Sequence, residues 1–159
     1  MLEIERKFLI KDSPNLKGIP EIKYERYFLE ITNNSEIRIQ KKGYIYEKET
    51  KTRINSLKFE KLKQGISQAE FLELQKQSIW ELYRSSYTLN KSPKISLKVY
   101  TWRFQWFSRL EIEFNAEEQA KNFKTENWYW KEITWSTLAN DSKLVNLSDS
   151  QFQTLMRSI

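Results

Sequence analysis

Glu3, Glu5 and Lys7 occupy alternate positions in the opening run Met1-Leu2-Glu3-Ile4-Glu5-Arg6-Lys7. Successive side chains of an extended strand point to opposite faces, so these three share one face. Leu2, Ile4, Phe8 and Ile10 form the other, with Arg6 interrupting that apolar row. Neighbouring carboxylates repel one another unless a cation lies between them, and a lysine beside them adds a group that holds an anion. The arrangement suits a metal-bound phosphate. Later in the chain, Arg109-Leu110-Glu111-Ile112-Glu113-Phe114 repeats the pattern and puts Glu111 and Glu113 on one face. Should a curled sheet join the two acidic faces, four carboxylates converge, and such oxygen ligands suit magnesium or manganese. Arg38, Lys51 and Arg84 can point to the same interior as Lys7. Arginine matches phosphate oxygens with a planar fork, whereas lysine acts as a movable point charge.

Absences narrow the chemistry further. The 159 residues contain no histidine and no cysteine, which argues against structural zinc, the Ser–His–Asp triad and Cys–His nucleophiles. The three glycines form no phosphate-cradling loop of the GxGxxG or Walker kind. Catalysis must therefore draw on carboxylates, lysine, arginine, tyrosine or a hard metal ion held through oxygen. No apolar run approaches the ~20 residues needed to span a bilayer, and the N-terminus lacks the zones of a signal peptide. The expectation is a cytoplasmic protein with no membrane partner. A formal charge of +6 favours anionic partners, yet a composition rich in lysine, asparagine and isoleucine produces such a charge without any functional demand.

The elements that must position these residues are mostly strands. After the first, candidate strands run over Ile22–Leu29, Glu36–Gln40, Tyr44–Lys51, Leu57–Leu62, Trp80–Leu89, Ile95–Tyr100 and Arg109–Phe114, with Lys42-Gly43 as a turn. Capping patterns predict three helices: Ser67 with Glu70, Asn115 with Glu118, and Ser148 with Gln151 ahead of Phe152, Leu155, Met156 and Ile159. Eight strands in hairpin order imply an α+β, mainly β chain: an eight-stranded antiparallel, tunnel-like barrel with a few flanking helices. Residues 1–159 form one domain in this reading. Charge on one face of several strands and apolar residues on the other imply a polar interior and a helix-covered exterior.

These residues resemble the CYTH domains, or triphosphate tunnel metalloenzymes. Glu3-Ile4-Glu5-Arg6-Lys7 is similar to their N-terminal ExExK signature. Glu36-Ile37-Arg38-Ile39, the strand ending in Lys51, Phe59-Glu60, the strand with Arg84 and Tyr87, and Leu110-Glu111-Ile112-Glu113-Phe114 follow in the family's order. The resemblance covers nearly the whole chain. It implies a tunnel holding a linear triphosphate, with hydrolysis of the phosphoanhydride bond assisted by Mg2+ or Mn2+. Carried over, Glu3, Glu5, Glu60, Glu111 and Glu113 would face metal, and Lys7, Arg38, Lys51 and Arg84 would grip phosphate. Glu3, Glu5 and Lys7 would form the catalytic set.

Four positions depart from the family pattern. Gln40 and Ser86 stand where arginines are common, and Lys58 and Lys98 stand where acids are common. Lys58 and Lys98 would then take over phosphate contacts. The same changes support an alternative, a tunnel that binds polyphosphate or nucleotide phosphates without turnover. Trp102, Phe104, Trp106 and Phe107 alternate with Arg103 and Gln105; such a run either packs between helix and sheet or stacks on nucleobases. The packing reading is the simpler, and a nucleic-acid partner is the weakest of the three.

Overall fold

The alternation in the sequence materialises as nine antiparallel strands in the computed structural model, which describes residues 1–159. They are β1 (Leu2–Ile10), β2 (Ile22–Ile31), β3 (Ser35–Lys42), β4 (Ile45–Arg53), β5 (Lys58–Gly65), β6 (Trp80–Lys91), β7 (Lys94–Tyr100), β8 (Ser108–Phe114) and β9 (Tyr129–Glu132). The sheet runs β5-β4-β3-β2-β6-β7-β8-β1-β9, and a further β5–β1 pairing closes the first eight strands into a barrel. β1 makes the closure by dividing one edge. Its Leu2–Ile4 segment pairs with β5, and Phe8 and Ile10 pair with β9, while Ile4–Phe8 pair with β8. The eight-stranded tunnel expected from sequence is therefore present, with one added strand.

Much of both sheet faces is buried, each against different chemistry. Outside, Ile4, Phe8, Leu110, Ile112 and Phe114 pack with Ala120 of helix α2 (Glu117–Asn122) and with Tyr129. Helix α1 (Gln68–Gln75) seats Phe71 on Tyr27 and Ile39. The inward rows are charged over most of their length and turn apolar at one end. β1 reads Glu3, Glu5, Lys7 and then Leu9; β2 reads Tyr24, Arg26 and then Phe28. Leu9, Phe28, Leu82 and Tyr100 meet Leu138, Leu144, Val145 and Phe152 in one cluster. Those last residues come from the 3-10 turn Thr137–Ala139, helix α3 (Asp141–Val145) and helix α4 (Asp149–Arg157).

Local signals explain two of the helix starts. Ser67 Oγ accepts from the Glu70 N–H at 3.1 Å, and Ser148 and Gln151 form a reciprocal capping box. The third differs from the sequence expectation: α2 begins one residue later, behind Ala116, with no side-chain cap. Asn115 instead donates its backbone N–H to Gln119 Oε1 at 3.1 Å. Of the aromatic run, Phe104 and Phe107 enter the core, whereas Trp102 and Trp106 project outward at positive φ of 62° and 76°. No helix is long and apolar enough to cross a membrane.

Candidate functional site

In the β1–β8 register Glu5 lies directly opposite Glu113. Like charges so placed destabilise a strand pair, and Glu3 adds a third: one carboxylate oxygen from each lies within 4.8 Å of the other two. Lysines hold the acids apart. Lys51 Nζ stands 2.6 Å from Glu3 and 3.5 Å from Glu5, Lys61 lies 2.9 Å from Glu3, and Lys7 lies 2.8 Å from Glu5. Burial raises the Glu3 pKa, but Lys51 and Lys61 outweigh it and hold the carboxyl well below its usual range. Glu3 Oε2 and Glu5 Oε2 are buried, and each meets only a lysine ammonium, Lys51 and Lys7 respectively. An all-oxygen donor set of three clustered carboxylates, balanced only by movable ammonium groups, fits a hard divalent cation.

The guanidinium groups sort by how many donors remain free. Arg38 gives Nε and Nη2 to Glu49 at 3.0 and 2.7 Å, and Nη1 to Glu36. Arg109 gives Nε and Nη2 to Glu111, Nη2 also to Asp141, and Nη1 to the Leu138 carbonyl. Both are absorbed by the protein. Arg84 differs, because its Nε is buried with no partner. Lys98 has one hydrogen bond, to Ser86 Oγ at 2.8 Å, and faces Glu111 at 3.8 Å. Its pKa falls to about 7, first through burial and then through the nearby Arg84, Arg26 and Lys94 charges, with Glu111 opposing. Burial likewise lowers the Arg26 pKa. Arg26, Arg84 and Lys98 lie 5.3, 5.3 and 5.6 Å from the Tyr24 ring centre, so the anion-seeking cations gather on one wall.

All these groups line one cavity of about 340 Å³, whose wall contains thirteen lysines and arginines against seven acids. That excess equals the formal +6 of the whole chain, leaving the remainder with equal numbers of both signs. A merely lysine-rich composition would spread its charge over the surface. Here the excess is gathered in the tunnel.

Glu3, Glu5, Lys7, Arg38, Lys51, Arg84, Lys98, Glu111 and Glu113 all reach this cavity. Glu111 stands apart from the acid triad, among Arg109, Arg84, Lys98 and Lys7. Glu60 and Lys58 do not reach the cavity. Residues directly opposite across a strand pair share a face, and Phe59 lies opposite Glu3. That parity turns Phe59, Lys61 and Lys63 inward, leaving Glu60 exposed opposite Leu2 and Lys58 3.7 Å from Glu117. Glu60→Ala is accordingly expected to change stability by no more than about 0.5 kcal/mol, checked by thermal melting, and to leave any activity within twofold of wild type. Reasoning from sequence missed Lys61, Lys63, Arg26 and Asp141. For Lys61 and Lys63 strand parity gave no signal, because charge lies on both faces of β5.

No protein-family model matches the sequence, and no curated protein matches it. Among solved structures, the chain is similar to the inorganic triphosphatase NE1496, with a TM-score of 0.64 and 23% identity over 92% of this chain and 95% of that one. Another structure of NE1496, described as a hypothetical protein, gives 0.63 and 23% over 90% and 97%. A candidate adenylate cyclase from Bacillus halodurans gives 0.55 and 16% over 79% of this chain and 94% of that one. At these identities the likeness establishes the fold: this chain shares the antiparallel tunnel of those proteins.

Proposed function

We propose that the chain is a divergent member of the CYTH, or triphosphate tunnel, family that binds inorganic triphosphate with a divalent metal ion and hydrolyses its terminal phosphoanhydride bond. The observation that carries this reading is the gathering of the chain's entire charge excess around a cavity that also contains an acid triad. The fold shared with NE1496, itself named an inorganic triphosphatase, supports it. Balanced charge over the rest of the chain gives no comparable support to a nucleic-acid surface.

Within the reading, Glu3, Glu5 and Glu113 hold the metal, which when bound supplies Lewis-acid neutralisation of phosphate oxygens and lowers the pKa of water. Arg84, Arg26 and Lys98 take the anion from the opposite wall. Lys7 and Lys51 stand between the two groups and keep the acids separated until substrate arrives. The two rings in the cavity are already occupied by cations. Tyr24 faces Arg26, Arg84, Lys98 and Lys42, and Phe59 lies 4.4 Å from Lys51 and 5.0 Å from Arg53. Both rings thus carry cations near their centres, which favours an all-anionic substrate.

The test is phosphate release from inorganic triphosphate with Mg2+ or Mn2+, comparing wild type with Lys51→Ala. Release by wild type and its loss in the variant is expected; equal release from both ends the reading. A second reading, binding without turnover, is favoured by the separation of Glu111 from the triad, which leaves three acids for metal. It expects tight binding with no release at any metal concentration.

Lys98 supplies an independent check through its protons. With a folded-state pKa near 7, against an ordinary 10.5, it is largely neutral at pH 8 in the empty tunnel. A bound polyanion favours the ammonium, so binding at pH 8 should take up close to one proton, and binding at pH 6 almost none from this group. Calorimetry in two buffers of different ionisation enthalpy measures the uptake, which should vanish in Lys98→Met. The empty protein should also gain stability from this group as pH rises from about 7 towards 10.5, because there the unfolded chain binds the extra proton.

A further inference from the structure

Asp141 is a carboxylate set among Arg26, Arg84 and Arg109 in the cavity wall. It opens α3 and is 4% exposed. Oδ1 accepts from Tyr100 Oη at 2.6 Å and Arg109 Nη2 at 3.0 Å, and Oδ2 accepts from Arg26 Nη1 at 2.7 Å and lies 3.2 Å from Arg84 Nη1. Donors from β2, β6, β7 and β8 thus converge on a residue that belongs to none of them. Three arginines hold its pKa well below the usual range against the cost of burial. The segment that delivers it is fastened on both sides. Arg109 donates to the Leu138 carbonyl and Lys7 to the Ala139 carbonyl, both at 2.8 Å, and Leu144 and Val145 are fully buried beyond it.

The position of Asp141 on Arg84 is informative. It takes the Nη1 corner and leaves the buried Nε without a partner. One side of the guanidinium is held by the protein while the other stays open. Arg26 is held in the same manner, by Gln40 at Nε and Asp141 at Nη1, with Nη2 making no hydrogen bond.

The geometry points to Asp141 as a positioning residue: a resident anion that holds Arg26 and Arg84 for a phosphate group and limits how tightly that group is retained. This rests on the proposed function, which it deepens. Without the carboxylate, three clustered guanidinium groups would bind phosphate more tightly and release product more slowly. With it, they keep their geometry while carrying less net charge. A carboxylate that merely stabilised the fold would have the opposite signature, since its loss would loosen the arginines and weaken anion binding.

The sign of the affinity change decides between them. Metal-free calorimetry with inorganic triphosphate should show Asp141→Asn binding about tenfold tighter than wild type, and Asp141→Glu, which restores the charge, binding within threefold of wild type. With metal, Asp141→Asn should lower both kcat and KM. Weaker binding, or a raised KM, overturns the proposal. If wild type shows no affinity for triphosphate, the functional reading fails, but the role of Asp141 is still decided by thermal melting with inorganic phosphate. Asp141→Asn should then gain a phosphate-dependent rise larger than that of wild type, and an equal or smaller rise overturns the role. Should Asp141→Asn not fold alone, inorganic phosphate should restore its thermal transition by filling the place of the lost carboxylate among the arginines, and failure of phosphate to restore it overturns the proposal.

Discussion

Glu5→Gln is expected to reduce metal-dependent triphosphate hydrolysis roughly 10²–10³-fold, the scale on which removing one electrostatic stabiliser acts, while the tunnel still binds triphosphate. Glu5 is buried, lies opposite Glu113 across β1 and β8, and meets the Lys7 ammonium at 2.8 Å through Oε2. Glutamine preserves its volume but removes the charge that a divalent ion requires. Folding should survive, because Lys7, the ammonium left behind, still donates to the Ala139 carbonyl at 2.8 Å. With one negative charge fewer in the wall, metal-free affinity for triphosphate should hold or rise. Initial rates with Mg2+ or Mn2+, paired with metal-free calorimetry, separate these effects. Wild-type rates in the variant would remove Glu5 from the proposed metal set. Joint loss of rate and binding would instead show that it organises the wall.

The first and last strands of the barrel were easier to read in the sequence than some of those between them. In β1 and β8 the charged and apolar residues alternate with few exceptions, so strand parity alone turns Glu3, Glu5, Lys7, Glu111 and Glu113 inward. In β5, Lys58-Phe59-Glu60-Lys61-Leu62-Lys63 carries charge on both faces, and periodicity could not choose between them. The choice is made by β1, which seats Glu3 opposite Phe59. Arg26 posed the same difficulty, since Glu25-Arg26 puts a charge on each face of β2. Asp141 had no signal at all. It lies 32 residues beyond Arg109 on a five-residue helix, and only the closed fold brings it to the arginines of three strands.

Arg109→Met is expected to be the most destabilising single change in the tunnel, at about 3–5 kcal/mol, the cost of removing one member of a buried ion-pair network. Arg109 is 2% exposed, and every one of its nitrogens is used: by Glu111, by Asp141 and by the Leu138 carbonyl. Its loss leaves two buried carboxylates short of a partner and frees the turn that carries Asp141. For a chain of this length, each kcal/mol corresponds to about 2–4 °C, so calorimetry should show a fall of roughly 6–20 °C. The penalty comes from the stranded acids rather than from any net gain in the ion pairs themselves. Adding Glu111→Gln and Asp141→Asn should therefore recover most of the lost stability, beyond what the separate substitutions predict if summed. A loss below 1 kcal/mol in Arg109→Met would mean that water reaches these acids. The cavity would then be too wet for three arginines and one aspartate to act as a unit, and the division between arginines that hold the fold and arginines that await an anion would fall.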